Sequence, residues 1–182
     1  GNWADFKAVY VANDEDFVYV RFTLYAPFDG FTGHNNFYFD TDANAGTGHF
    51  AVVGSELLIE GGAGFQQKNG GFNEGGVTGL DWAGAPTGTG TDFEFRVSRH
   101  AKFEGDQSPV FTQDTIALAL EATDPNWSRA DTIPDADGVM YECAPPPPPL
   151  AANKLLIPLS GGSWQVNTSA TPPDGNWSDP TY

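Results

Sequence analysis

The chain is poor in cysteine, in basic residues and in long apolar runs, and each shortage excludes a class of function. Cys143 is the only cysteine. It can form no internal disulfide, and a zinc or redox site would need thiol or imidazole partners around it that the sequence does not supply. Two readings remain for it, an unreactive thiol or a bond to a cysteine of another chain, and the first is preferred. Eight Lys+Arg stand against 24 Asp+Glu, a formal charge of -16. That balance repels phosphates and anionic membrane surfaces, so no nucleic acid is expected as a partner. It suits a secreted protein that meets divalent cations or neutral polymers, although an acidic surface also serves solubility alone. No apolar run approaches the ~20 residues of a membrane-crossing helix, and no membrane insertion is expected. The sequence opens on Gly1-Asn2-Trp3 with no signal peptide, so for an exported protein the leader is removed or lies outside this sequence.

Catalytic signatures are missing as well. Gly-x-Ser-x-Gly does not occur, and Gly70-Gly71-Phe72 lacks the following helix and lysine of a phosphate loop. Among 24 acids a glycosidase-like pair of carboxylates arises easily by chance, and nothing singles one out. The chain reads as a non-catalytic protein.

What the sequence does have is turn and strand material. Its 22 glycines, 14 prolines and 14% aromatic residues serve an all-β domain and make poor helices. Strict alternation places Val18, Val20, Phe22 and Leu24 on one face of a strand. Phe93, Phe95 and Val97 form a second such set, and Ile116, Leu118 and Leu120 a third. Further strands are expected at 6–12, 36–41, 50–53, 56–60 and 64–68, with turns at Asn13-Asp14-Glu15 and Lys68-Asn69-Gly70-Gly71. No segment carries a sustained helical stripe. The expected architecture is an antiparallel two-sheet β-sandwich, of jelly-roll or immunoglobulin-like type, over residues 1–143.

The five prolines of Pro145 to Pro149 cannot join a sheet ladder and predict a polyproline II linker over 144–149. Residues 150–182 are then an appendage with one or two strands, too short for a core of its own. Its apolar Leu155, Leu156 and Ile157, with Trp164, are candidates for docking on a partner. Gly1-Asn2-Trp3-Ala4-Asp5 is echoed by Gly175-Asn176-Trp177-Ser178-Asp179. The echo suggests either the start of a next repeat or a tail that substitutes for the domain entrance in a neighbouring copy. Three glycosylation sequons, at Asn126, Asn167 and Asn176, matter only in a source that glycosylates.

One stretch carries a definite chemistry. In Asp40-Thr41-Asp42-Ala43-Asn44-Ala45-Gly46-Thr47-Gly48 three short oxygen-bearing side chains recur at every second position and run into a glycine turn. A calcium ion takes about six to eight oxygen ligands at about 2.3–2.6 Å, and alternating Asp and Asn in a tight turn converge in that way. The stretch is not an EF-hand, because Ala45 and Ala51 stand where that loop needs glycine and glutamate, and a strand rather than a helix leads into it. An ordinary Asx-rich turn is the competing reading. Two carboxylates so close together, however, repel unless a cation lies between them.

The ordered features resemble the DOMON-like and carbohydrate-binding-module-family-9-like β-sandwiches of secreted bacterial proteins. The residues that carry the likeness are Gly-Asn-Trp-Ala-Asp at 1–5, the run from Val9 to Phe22, Phe37-Tyr38-Phe39-Asp40-Thr41-Asp42 with Thr47-Gly48, the run from Gly54 to Gly62, and the strands at 92–98 and 115–122. The likeness covers roughly residues 1–143 and not the tail. It implies a structural calcium held by Asp40, Asp42 and Asn44, with Glu56 as a further ligand from the adjacent strand. It also implies a carbohydrate-binding surface, for which Trp82 and Trp127 are the candidates, since sugar C–H faces stack on flat rings. Both rings compete for the role of capping the core, and for Trp127 that role is preferred. Trp3 is expected to plug the domain entrance. Some relatives bind haem through Met and His, but Met140 has no spacing to His34, His49 or His100 that supports such a pair. The sequence therefore predicts a secreted, calcium-stabilised module that binds polysaccharide. The alternative is a structural subunit or tandem repeat of an extracellular filament or adhesin, whose partners are other copies of the chain linked through 150–182.

Overall fold

The computed structural model describes residues 2–49, 51–134 and 138–145. The proline linker beyond Pro145, the tail strands, Leu155, Leu156, Ile157, Trp164, Asn167 and Asn176 lie outside the described residues.

Twelve strands and no helix make up the described chain: β1 (Phe6–Asn13), β2 (Phe17–Asp29), β3 (Asn35–Asp40), β4 (Leu57–Glu60), β5 (Ala63–Gln66), β6 (Val77–Thr78), β7 (Ala83–Ala85), β8 (Thr89–Ser98), β9 (Lys102–Phe103), β10 (Thr115–Thr123), β11 (Arg129–Ile133) and β12 (Val139–Glu142). All described pairings are antiparallel. One sheet runs β1-β2-β8-β7, and the other runs β11-β10-β3-β4-β5, with β12 also on β10; β6 and β9 form a short ribbon.

The alternation in the sequence dictates which faces meet. Val18, Val20, Phe22 and Leu24 of β2 and Phe93, Phe95 and Val97 of β8 point from the first sheet into one core. Phe37, Phe39, Leu57, Ile59, Ile116, Leu118 and Leu120 enter it from the second. Phe37 lies 4.6 Å from Phe95 and 5.5 Å from Phe22 between ring centroids. Two sheets packed through a shared aromatic core give a β-sandwich-like body, and such ring pairs stabilise it beyond the area they bury.

The second sheet is also covered on its outer side. Tyr38, Leu58 and Ala119 alternate with the core residues and pack under Val52 and Phe72. This explains the one expected strand that does not form among the described residues. Residues 51–54 are a turn, with Val52 and Gly54 donating to the carbonyl of His49 and Ser55 to that of Val52. Val53 and Gly54 both take positive φ. The apolar run at 50–53 reads as a strand, yet it is a loop whose Val52 caps the outer face of the sheet; Phe50 lies outside the described residues.

Turns follow their local chemistry. Asn69 and Gly70 have φ of 53 and 85°, and Lys68 and Gly71 exchange backbone hydrogen bonds, the two-residue hairpin that an Asn-Gly pair favours. In the β1–β2 turn, Asp14 accepts the N–H of Asp16 and Phe17 and the Tyr19 hydroxyl. The Tyr19 hydroxyl, followed by the Phe17 N–H, holds the Asp14 carboxyl below its ordinary 3.8. Its stabilising contribution is therefore complete above 3.8 and fades as pH falls through the lower folded value. In thermal melts Asp14→Asn is expected to be less stable than the wild type at neutral pH, and the difference should shrink in that acid window. A difference that persists unchanged to the most acid point would show that the charge plays no part.

Cys143 is 4% exposed and belongs to the core. Burial pushes its thiol up, so it behaves as a small apolar side chain. Trp3 is 38% exposed, more open than a plug at the domain entrance would be.

Candidate functional site

The candidate metal loop begins where β3 ends. Asp40 lies opposite Ala117 of β10 and is 2% exposed, among the few buried acids. The chain then turns around its carboxylate: Asp40 Oδ1 accepts the N–H groups of Asp42 and Asn44, both at 3.2 Å. Asp42 Oδ1 takes the N–H of Asn44 at 3.0 Å, and the Thr47 hydroxyl donates to the Asp42 carboxylate. Asn44 Oδ1 accepts the Gly46 N–H at 3.1 Å. The alternating Asp and Asn thus nest the turn, as short side chains that bond their own backbone two residues on will do.

Glu56 arrives from the neighbouring strand. Its N–H donates to the Phe39 carbonyl at 3.0 Å, one step beyond the Phe39–Leu57 pair, so it extends β4 alongside the end of β3. Its Oε2 accepts the Thr41 N–H at 2.9 Å. Its Oε1 is buried with no hydrogen-bond partner among the described residues. Oxygens of Asp40, Asp42 and Glu56 all lie within 4.8 Å of one another. Two ligands on opposite sides of one calcium ion stand about 4.6–5.2 Å apart, so the three carboxylates fit a single coordination sphere. With oxygen as the only donor type, the set suits a hard cation.

The electrostatics agree with the geometry. Burial pushes the Asp40 carboxyl up, opposed by the N–H groups of Asn44 and Asp42, and the Asp42 charge adds to the rise. Burial also raises Glu56, against the Thr41 N–H, with the charges of Asp42 and Asp40 contributing. Like charges held together in a partly dry site destabilise one another unless a cation joins them.

The structure brings Asp40, Asp42 and Glu56 together. Asn44 is exposed and is seen making the turn. Several groups that sequence reasoning left unassigned complete the loop. Thr41 and Thr47 hold the carboxylates of Glu56 and Asp42. Gly48, at φ 62°, lies so close to Gly54 O and Glu56 Oε1 that no side chain fits. Gly48 carries a sequence signal, as the glycine that closes the loop. The threonines carry none, since a turn threonine bonds the nearest oxygen whether or not a metal is near.

No protein-family model matches the chain, and a search of curated proteins finds no match. The reading of the site therefore rests on its own geometry.

The two tryptophans differ in placement. Trp82 packs against the core, edge-on to Phe31 at 5.2 Å, with its ring over Gly62 and Gly84. Trp127 does not cap the core as expected: it is 59% exposed at the β10–β11 turn and packs on His34, 4.3 Å between ring centroids. The reason is local, because Asp124 Oδ1 caps the N–H groups of Asn126 and Ser128 and fixes a turn with Trp127 at φ 64°. Tyr10 and Tyr25, on the outer face of the first sheet, are 54% and 67% exposed.

Proposed function

We propose that the chain is a non-catalytic, secreted, calcium-stabilised module of jelly-roll or immunoglobulin-like β-sandwich architecture that binds carbohydrate. The observation that carries this is the convergence of Asp40, Asp42 and Glu56 within 4.8 Å. Asp40, Asp42 and Glu56 would hold the ion, which supplies the positive charge that three crowded carboxylates lack. Its role is structural. Around the cluster the Thr41 N–H and hydroxyl donate to Glu56, the Thr47 hydroxyl donates to Asp42, and Asn44 Oδ1 accepts the Gly46 N–H, so the local chemistry fastens the end of β3 to the start of β4.

The carbohydrate part draws on exposed rings beside fixed polar groups in a chain with few cations. That combination suits uncharged, hydroxyl-rich polymers better than anionic ones. Affinity electrophoresis through gels containing xylan, β-glucan, mannan or dextran tests it, together with a glycan array. Retardation by at least one polysaccharide is expected; free migration through all of them, with an empty array, overturns the carbohydrate reading.

A further inference from the structure

The outer face of the first sheet has a built character that the sequence does not announce. Antiparallel register places two rows across it: Ala12, Tyr19, Arg96 and Ala83 in one, Tyr10, Arg21, Glu94 and Ala85 in the other. These residues alternate with the core side chains Val18, Val20, Phe93, Phe95 and Val97, so they share the outward face. Between them runs a shallow groove of about 300 Å³. Tyr19 forms one wall, Glu94 and Arg96 supply polar groups, and the short edge strand Ala83-Gly84-Ala85 lines the rest.

The groove exists because β7 is made of small residues. Gly84 is required on the inner side, where a Cβ would lie 2.6 Å from the Trp82 ring and 2.9 Å from Phe31. Ala83 and Ala85 are exposed and keep the outer surface low. The flanking groups are held in place. The Tyr19 hydroxyl donates to Asp14 Oδ2 at 2.7 Å, which fixes the ring. Arg21 forks onto Asp92 through Nε at 2.9 Å and Nη2 at 2.5 Å and lies over the Tyr10 ring at 5.5 Å. Arg96 lies over Phe17 at 4.3 Å. Rings and hydrogen-bonding groups fixed before the ligand arrives reduce the ordering cost of binding.

Charge decides among occupants. Arg21 and Arg96 are matched on this face by Asp92, Glu94 and Asp14, so the groove has no surplus of cation to attract an anionic polymer. The net charge of -16 repels such a polymer at longer range. Planar guanidinium and carboxylate groups beside aromatic faces are the partners of sugar hydroxyls and sugar C–H faces. We propose that this groove, walled by Tyr19 and floored by Ala83 and Ala85, is the binding site for a neutral polysaccharide strand laid across the four-stranded sheet. The proposal rests on the carbohydrate reading above and names the surface that serves it.

The test compares the wild type with Tyr19→Ala, which removes the wall, and Ala85→Leu, which fills the floor without deleting any polar group. Met140→Ala, at an exposed position of β12 on the other sheet, is the control. Each variant is melted to confirm folding and run through the same polysaccharide gels. The expected result is retardation of the wild type and of Met140→Ala, with about tenfold or greater weakening in Tyr19→Ala and Ala85→Leu. If the wild type is retarded and both groove variants match it, the groove is not the site, while the carbohydrate reading stands. If the wild type is retarded by nothing, the reading and the groove fall together. If size-exclusion chromatography shows a dimer that Ala85→Leu converts to monomer, the occupant is a second copy of the chain, and the polysaccharide assignment is overturned.

Discussion

Chelation with EDTA is expected to lower the melting temperature by about 5–10 °C before it touches any binding activity. Three carboxylates within 4.8 Å of one another, two of them raised chiefly by burial, carry mutual repulsion into the folded state. A cation present at about 100 times its dissociation constant stabilises by about 2.7 kcal/mol. In a domain of this size each kcal/mol moves the midpoint by about 2–4 °C. Calorimetry in excess calcium and in excess EDTA measures the shift, and superimposable curves would remove the metal from the account. Asp42→Asn separates the charge effect from general damage. In EDTA the variant should melt at or above the wild type, because one of the crowded charges is gone. In calcium it should melt below it, because a ligand is gone. Only a bound cation produces that reversal of order.

Gly48→Ala is expected to cost about 3 kcal/mol or more, the largest loss of any single methyl added to the loop. Two independent effects add. At φ 62° an L side chain is strained. A Cβ there would also collide with Gly54 O and Glu56 Oε1 and lie 2.6 Å from Ser55 O. Two of those atoms are backbone carbonyls, which cannot swing away as a flexible side chain would. Urea denaturation of the variant beside Gly70→Ala measures this. Gly70 also has positive φ, at 85°, but nothing lies within 4 Å of its added Cβ, so it isolates the conformational cost. If the two variants lose the same stability, the packing of Gly48 against Glu56 has no energetic weight.

The strands that form the two facing sheets were legible because they alternate. Phe93-Glu94-Phe95-Arg96-Val97 and Val18 to Leu24 state both their period and their buried face, and Ile116, Leu118 and Leu120 sit in the core as the pattern requires. Missing from that reading were β6, β7, β9, β11 and β12. β7 is Ala-Gly-Ala and pairs because β8 offers it an edge, β6 and β9 are two residues each and pair with one another, and β11 and β12 share one edge of β10. The turn at 51–54 misled in the opposite direction, since its apolar residues face a sheet they do not join. Asp40 and Asp42 were legible as ligand candidates from spacing alone. That Glu56 meets them follows from β3–β4 register, which no local pattern encodes. The groove on the first sheet was illegible for the same reason, being a juxtaposition of β2, β8 and β7 rather than a motif.

The sequence separation between contacting residues differs sharply between the sandwich and the acidic loop. Val18 must find Val97 and Asp40 must find Ala117, so each sheet waits on long loop closures, the slow and entropically demanding part of assembling a non-local β fold. Asp40, Asp42 and Glu56 need only the short excursion between β3 and β4. During synthesis that excursion emerges well before β8 or β10. With the calcium proposed above, the β3–β4 hairpin would have its own local reason to form, leaving the other edge of β3 for β10.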